Sequence, residues 1–197
     1  MNAFTALGVT ACTLIIIWVL APRWPAGAWI LGTVLAILLV RQTRAIGEAG
    51  LGWAAFADAL RAWWWAYMLC LVVLGVLVDW RFLSRPTLLR GAAYLGECLV
   101  QQLIYQHLVC TPIRLDLGPN QKSDWAAASL FALVHLPNPV LVPATFVWGA
   151  TAAHLYRRRP SLWAVAVLQY LLSGILYGLV PYAWFHGFRI GPSYFQR

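Results

Sequence analysis

GECLVQQLIYQ, Gly96 to Gln106, sets one carboxyl and three amides into a run that is otherwise apolar. Steps of four and five residues keep Glu97, Gln101, Gln102 and Gln106 within a fairly narrow sector of a helix. The surroundings decide what that sector faces. The chain has 197 residues, 62% hydrophobic and only 10% charged, with a mean hydropathy of +0.72, where a soluble domain has about a quarter of its residues charged. The medium is therefore hydrocarbon, and the polar sector must meet protein or trapped water rather than lipid. The expected fold is all-α, a polytopic transmembrane helical bundle.

Working outward, a spanning helix needs roughly 20 mostly apolar residues, and breaks fall where Pro, Gly and Arg cluster. About seven spans result, over 4–21, 26–41, 62–79, 89–110, 124–136, 140–156 and 161–183. The stretch 45–60 mixes Gly, Glu48 and Asp58 with apolar residues, as an amphipathic helix in the membrane interface would. The first apolar run, 5–21, has no basic segment before it and no small-residue cleavage site after it, so it is expected to be a retained span. No long hydrophilic linker or internal repeat divides the chain, and a single transmembrane domain over 1–197 is expected.

The net charge of +8 raises nucleic acid as a partner. The basic residues nevertheless lie in short clusters between apolar runs (Arg41 and Arg44, 81–90, Arg157 to Arg159), the pattern of helix flanks beside anionic headgroups. Membrane lipids are the expected partner and nucleic acid is not. Twelve tryptophans and eight tyrosines fit aromatic belts at the headgroup level. With the N-terminus in the cytoplasm, Arg41, Arg44, Arg61, Arg114, Lys122 and Arg157 to Arg159 fall inside, eight against the six of Arg23, Arg81, Arg85, Arg90, Arg189 and Arg197.

Cys12, Cys70, Cys98 and Cys110 all lie in apolar runs without CxxC spacing, which argues against a metal cluster and against a disulfide framework. There is no HExxH, and His107, His154 and His186 are not spaced to join His135 as ligands, so neither a metal nor a cofactor is expected.

Polar side chains inside hydrocarbon are costly, and their positions are functional candidates by default. Three helices bring them. Glu97 is a candidate general acid or base, while Gln101, Gln102 and Gln106 are either site residues or hydrogen-bond glue between helices. FALVHLPNP, Phe131 to Pro139, ends an apolar run in His135 and stops the helix with Pro137-Asn138-Pro139. His135 is thereby expected at the rim of a polar pocket, with Asn138 capping or bonding locally. Gln169 and Ser173 lie one turn apart on a later helix.

At these residues the chain resembles the CAAX protease and bacteriocin-processing family, the glutamic-type intramembrane proteases that include the Ras-converting endopeptidase. That family carries EExxxR on one helix, FxxxH on a later one and HxxxN on a further one. Phe131 and His135 match the second motif. Gln101, Gln102 and Gln106 stand where the two acids and the arginine are expected, and Gln169 and Ser173 where the histidine and asparagine are. The resemblance covers about 91–197. It implies an intramembrane peptidase that activates water in a polar cavity and acts on a membrane-associated peptide or protein, in a multi-pass protein of a bacterial inner membrane. An amide cannot take a proton from water at neutral pH, so Gln101 and Gln102 cannot replace the family's acid. In that reading Glu97 becomes a displaced acid, His135 and Gln169 hold the water or the oxyanion, Gln102 counts with them among the catalytic candidates, and Gln101, Gln106, Phe131, Asn138 and Ser173 line the cavity. The alternative is a catalytically inactive relative that serves as a membrane binding or chaperone-like protein. A small transporter is less well supported, since no paired repeat with interrupted helices is present.

Overall fold

The computed structural model describes residues 3–42, 50–77, 85–186 and 188–195. Within them the chain is helical: α1 (Ala3–Ile15), α2 (Pro25–Gln42), α3 (Trp53–Ala62), α4 (Trp64–Leu77), α5 (Arg85–Ile104), α6 (Thr111–Leu117), α7 (Gln121–Leu133), α8 (Leu141–Arg158), α9 (Leu162–Leu179) and α10 (Tyr182–Phe185). α1 runs on into a π-helical turn, Ile16–Leu20, and a second such turn, Tyr105–Cys110, joins α5 to α6. A π turn inserts one residue into the helical repeat and shifts the faces beyond it.

The helix starts are written in the sequence. Asn120 accepts from the amides of Lys122 and Ser123 and forms a capping box with Ser123 at the start of α7. Ser161 caps α9 through the amide of Ala164. Asn138 Oδ1 accepts from the amides of Val140 and Leu141, at 3.1 and 3.0 Å, and opens α8. Pro137 and Pro139 occupy the α7–α8 loop, as the sequence suggested, and the Leu136–Pro137 peptide is cis.

α7 and α8 form a tight antiparallel pair. A Cβ on Gly149 would lie 3.2 Å from the Ala128 backbone, so the absent side chain is what lets these two helices approach. α9 packs on both α4 and α5; Gly174 and Gly178 receive Leu74 and Leu77 of α4, and Tyr67 donates to the Ala164 carbonyl at 2.8 Å. One apolar cluster gathers Ala59, Trp63, Tyr67, Leu162, Val165 and Leu168, and a second gathers Tyr105, Val109, Ile113, Phe131 and Ala152.

α3 and α4 meet at a 77° bend at Trp63, so residues 62–79 do not form one straight span from Ala62 onward. Trp63 is buried in the α3–α4–α9 cluster, and filling that core turns the chain where no Gly or Pro marks a break. α3 is amphipathic and lies within the expected interfacial stretch; residues 45–49 of that stretch, and 78–79 of the third expected span, lie outside the described residues. Among the described residues two helical segments, Ala3–Leu20 and Leu162–Leu179, are long and apolar enough to cross a membrane, and three if the bent pair counts as one. The helical bundle is thus present; about seven spans is more than length and apolarity alone select.

Ion pairs fix one end of the bundle. Arg157 and Arg114 both reach Asp124, Arg159 reaches Asp58, and the Ala3 amide donates to Asp116. Arg61, Arg114, Lys122 and Arg157 to Arg159, set on one side by the sequence reading, therefore share one end, and the His135 loop lies at the other. Arg44, Arg81 and Arg197 lie outside the described residues.

Candidate functional site

α5, α8 and α9 bring four polar side chains into one hydrogen-bonded cluster. Gln102 Nε2 of α5 donates to Gln169 Oε1 of α9 at 2.6 Å. Trp148 Nε1 of α8 donates to the same oxygen at 3.2 Å. Gln169 Nε2 then donates to Gln101 Oε1 at 2.8 Å. Behind them, in the π turn, Gln106 Nε2 donates to Gln102 Oε1 at 3.1 Å. Gln102 and Gln106 are completely buried, and Gln106 Oε1 has no partner. The cluster consists of amides and one indole, so it can donate and accept hydrogen bonds but carries no charge and no basic lone pair.

The cluster backs onto a cleft of about 1850 Å³ with mostly apolar walls from α1, α2, α5, α7, α8 and α9. Glu97, Gln101, Phe131, His135, Gln169 and Ser173 all line it. Gln102, Gln106 and Asn138 do not: the first two sit behind the wall, and Asn138 is buried, capping α8 and donating to the Arg189 carbonyl at 3.1 Å.

His135 is held by its own turn and by neighbouring aromatic rings. Its Nδ1 lies 2.8 Å from the Phe131 carbonyl. A nitrogen bonded to a carbonyl must carry the hydrogen, which leaves Nε2 of the neutral ring as an acceptor. The imidazole meets the Phe131 ring edge-on at 5.0 Å, and Phe131 lies 4.7 Å from Tyr105, whose hydroxyl donates to the Gly149 carbonyl at 3.0 Å. Tyr105 and Trp148 thus anchor the site, and the sequence reading passed over both. Their signal was an aromatic ring with a polar tip inside an apolar run, which requires a buried partner.

Glu97 lines the cleft but does not share a sector with Gln102 and Gln106. Its side chain is exposed, on the wall between the large cleft and a smaller cavity of about 410 Å³ beside Ile30, Thr33 and Val34 of α2. Helical rotation of about 100° per residue explains why: Gln101 lies roughly 40° around from Glu97, but Gln102 about 140° and Gln106 about 180°. The four residues do not share one narrow sector. Glu97 and Gln101 face the cleft, whereas Gln102 and Gln106 point into the core.

A second polar centre, absent from the sequence reading, lies at the basic end. Asp124, 2% exposed, accepts from Arg114 at 3.2 Å and from Arg157 at 2.9 Å, and Arg114 also donates to the Ala153 carbonyl at 2.7 Å. It ties α6, α7 and α8 together. No group of three or more His, Cys, Asp or Glu side chains among the described residues is arranged to hold a metal ion.

Residues 86–175 match the family model for Rce1-like proteins, the type II CAAX prenyl endopeptidase Rce1-like description. Over these residues the chain is similar to Rce1-like proteins. The matched segment runs from the start of α5 into α9 and contains Gln101, Gln102, Gln106, Phe131, His135, Gln169 and Ser173. The matched segment thus holds every position on which the motif resemblance rested, and the positions of the first and third motifs are hydrogen-bonded to each other. Neither a curated protein nor a solved structure matches the chain.

Proposed function

We propose that this CAAX-protease-like integral membrane protein receives a membrane-associated peptide or protein in its apolar cleft and holds it there without hydrolysing it. One observation carries the reading: the motif positions that meet, Gln101, Gln102 and Gln169, are amides bonded to one another. Water activation needs a group that accepts a proton, and an amide does not. Amides do pair with a peptide backbone, and Gln101 and Gln169 reach the cleft wall where a bound strand would meet them.

A second reading rests on a different observation. Glu97 and His135 line the same cleft, and each can take a proton. Here Glu97 activates water and His135 supports the oxyanion, as in the displaced-acid reading of the sequence.

Mapping new protein termini in membranes expressing wild type, Glu97→Gln or His135→Ala separates the two. Retention without cleavage gives the same termini in all three. Termini made by wild type and lost in both variants would overturn the first reading and establish the second.

A further inference from the structure

We infer that residues 188–195 form a strap that gates the His135 end of the cleft. Phe188, Arg189, Ile190 and Ser193 line the cleft, and the strap touches three of its walls. Against the loop that carries His135, the Gly191 amide donates to the Leu136 carbonyl at 2.8 Å, and Asn138 Nδ2 donates to the Arg189 carbonyl at 3.1 Å. Against the π turn that follows α1, Gly191 is seated so closely that a Cβ would lie 2.7 Å from Ile17 Cγ2. Against α5 and α9, the Phe188 ring stacks on Tyr94 at 5.6 Å and lies 6.1 Å from Tyr177.

The strap therefore bridges the wall that bears Glu97, the loop that bears His135 and the opposing α1 wall. A ligand long enough to extend past His135 passes that end only when the strap lifts. Gly191 makes the seat: its φ of +57° belongs to the left-handed region, and its missing side chain admits Ile17. Lifting breaks contacts that include the Gly191–Leu136 and Asn138–Arg189 hydrogen bonds and the Phe188 ring contacts while leaving the α7–α8 and α4–α9 packing intact, so the strap can open without unfolding the bundle.

This rests on the reading of the cleft as the place where a ligand enters, and the test measures access alone, so its failure is distinct from failure of that reading. Cys12 lines the cleft and is exposed, whereas Cys70, Cys98 and Cys110 are buried. In full-length protein in lipid nanodiscs, modification of Cys12 by a small methanethiosulfonate reagent is followed by mass spectrometry. Gly191→Val, which removes the seat, and Phe188→Ala, which removes the stack, are each expected to raise the rate at least about threefold. Conversely, an Ile17→Cys/Gly191→Cys pair oxidised to a disulfide is expected to slow it at least about threefold relative to the same protein reduced. Equal rates at Cys12 in the oxidised and reduced pair would overturn the gate, whatever the first two variants do.

Discussion

Gln102 and Gln169 meet at 2.6 Å across α5 and α9, amide to amide, at positions where the resemblance expects an acid and an imidazole. Contact between these two positions is made by neutral hydrogen bonding, with no proton acceptor of a general base on either side. Such a pair links helices at any pH, because neither side chain titrates.

Gln169 is the hub, and its removal should cost more than removal of Gln106. Gln169→Leu leaves Gln102 Nε2, Trp148 Nε1 and Gln101 Oε1 without their partner. A destabilisation of about 1–3 kcal/mol is expected. Gln106→Leu takes away a single donor to Gln102 together with a carbonyl that already lacks a partner. That loss should stay under about 1 kcal/mol. Reversible unfolding in mixed micelles compares the two, and equal losses would contradict the hub.

The sequence carried the lining of this site better than its anchors. Phe131, His135, Gln101 and Gln169 were found because motif spacing brings residues to a common face whatever the surrounding packing. Glu97 and Gln101 share the cleft face but Gln102 and Gln106 do not, because a step of four residues and a step of five diverge by about 100° of rotation. Asp124 was invisible for another reason: its partners Arg114 and Arg157 stand 10 and 33 residues away, and pairing at that distance leaves no periodicity. The bend at Trp63 likewise follows from the core it fills, while the three consecutive tryptophans read equally well as a belt at the interface.

Asp124→Asn should be the most damaging single change at the basic end. It leaves two guanidinium groups facing each other with the neutralising carboxylate gone. Breaking a buried pair on one side costs about 3–5 kcal/mol, and the partial exposure of Arg114 and Arg157 puts this case at or below the lower figure, about 3 kcal/mol. Arg157→Ala should cost less, since Arg114 still pairs with the carboxylate. Thermal unfolding of the purified protein tests both; a larger loss for Arg157→Ala would place the weight of the cluster elsewhere.

Asn138→Ala should affect a helix and the strap together. It removes the cap on the amides of Val140 and Leu141 and the donor to the Arg189 carbonyl. Loss of the cap alone is worth about 1 kcal/mol. Asn138→Asp keeps the acceptor for α8 and loses the donor to the strap, so it should recover most of the thermal stability while hydrogen exchange at Gly191 stays fast. Full protection at Gly191 in Asn138→Asp would show that the Leu136 carbonyl holds the strap unaided.

Restoring the acids in isolation should harm the protein, and restoring the whole motif set should not. In a Gln101→Glu/Gln102→Glu variant both new side chains only accept when ionised, yet the Gln102 position faces Gln169 Oε1, itself an acceptor. Gln106 Nε2 and Gln169 Nε2 each still serve one oxygen of the two new carboxylates, but the contact between positions 102 and 169 sets acceptor against acceptor in a buried site and leaves the charge there undersatisfied, so a loss of several kcal/mol is expected. Adding Gln169→His supplies an N–H at the contact, and Gln106→Arg places a cation one turn away from the position of Gln102. Ser173→Asn completes the pattern on the cleft wall. The five-substitution variant should therefore recover thermal stability over the two-substitution variant and release new termini from membrane proteins that the parent leaves intact. A five-substitution variant that folds and cleaves nothing would mean that the cleft has diverged beyond its amides, in its walls or in its access.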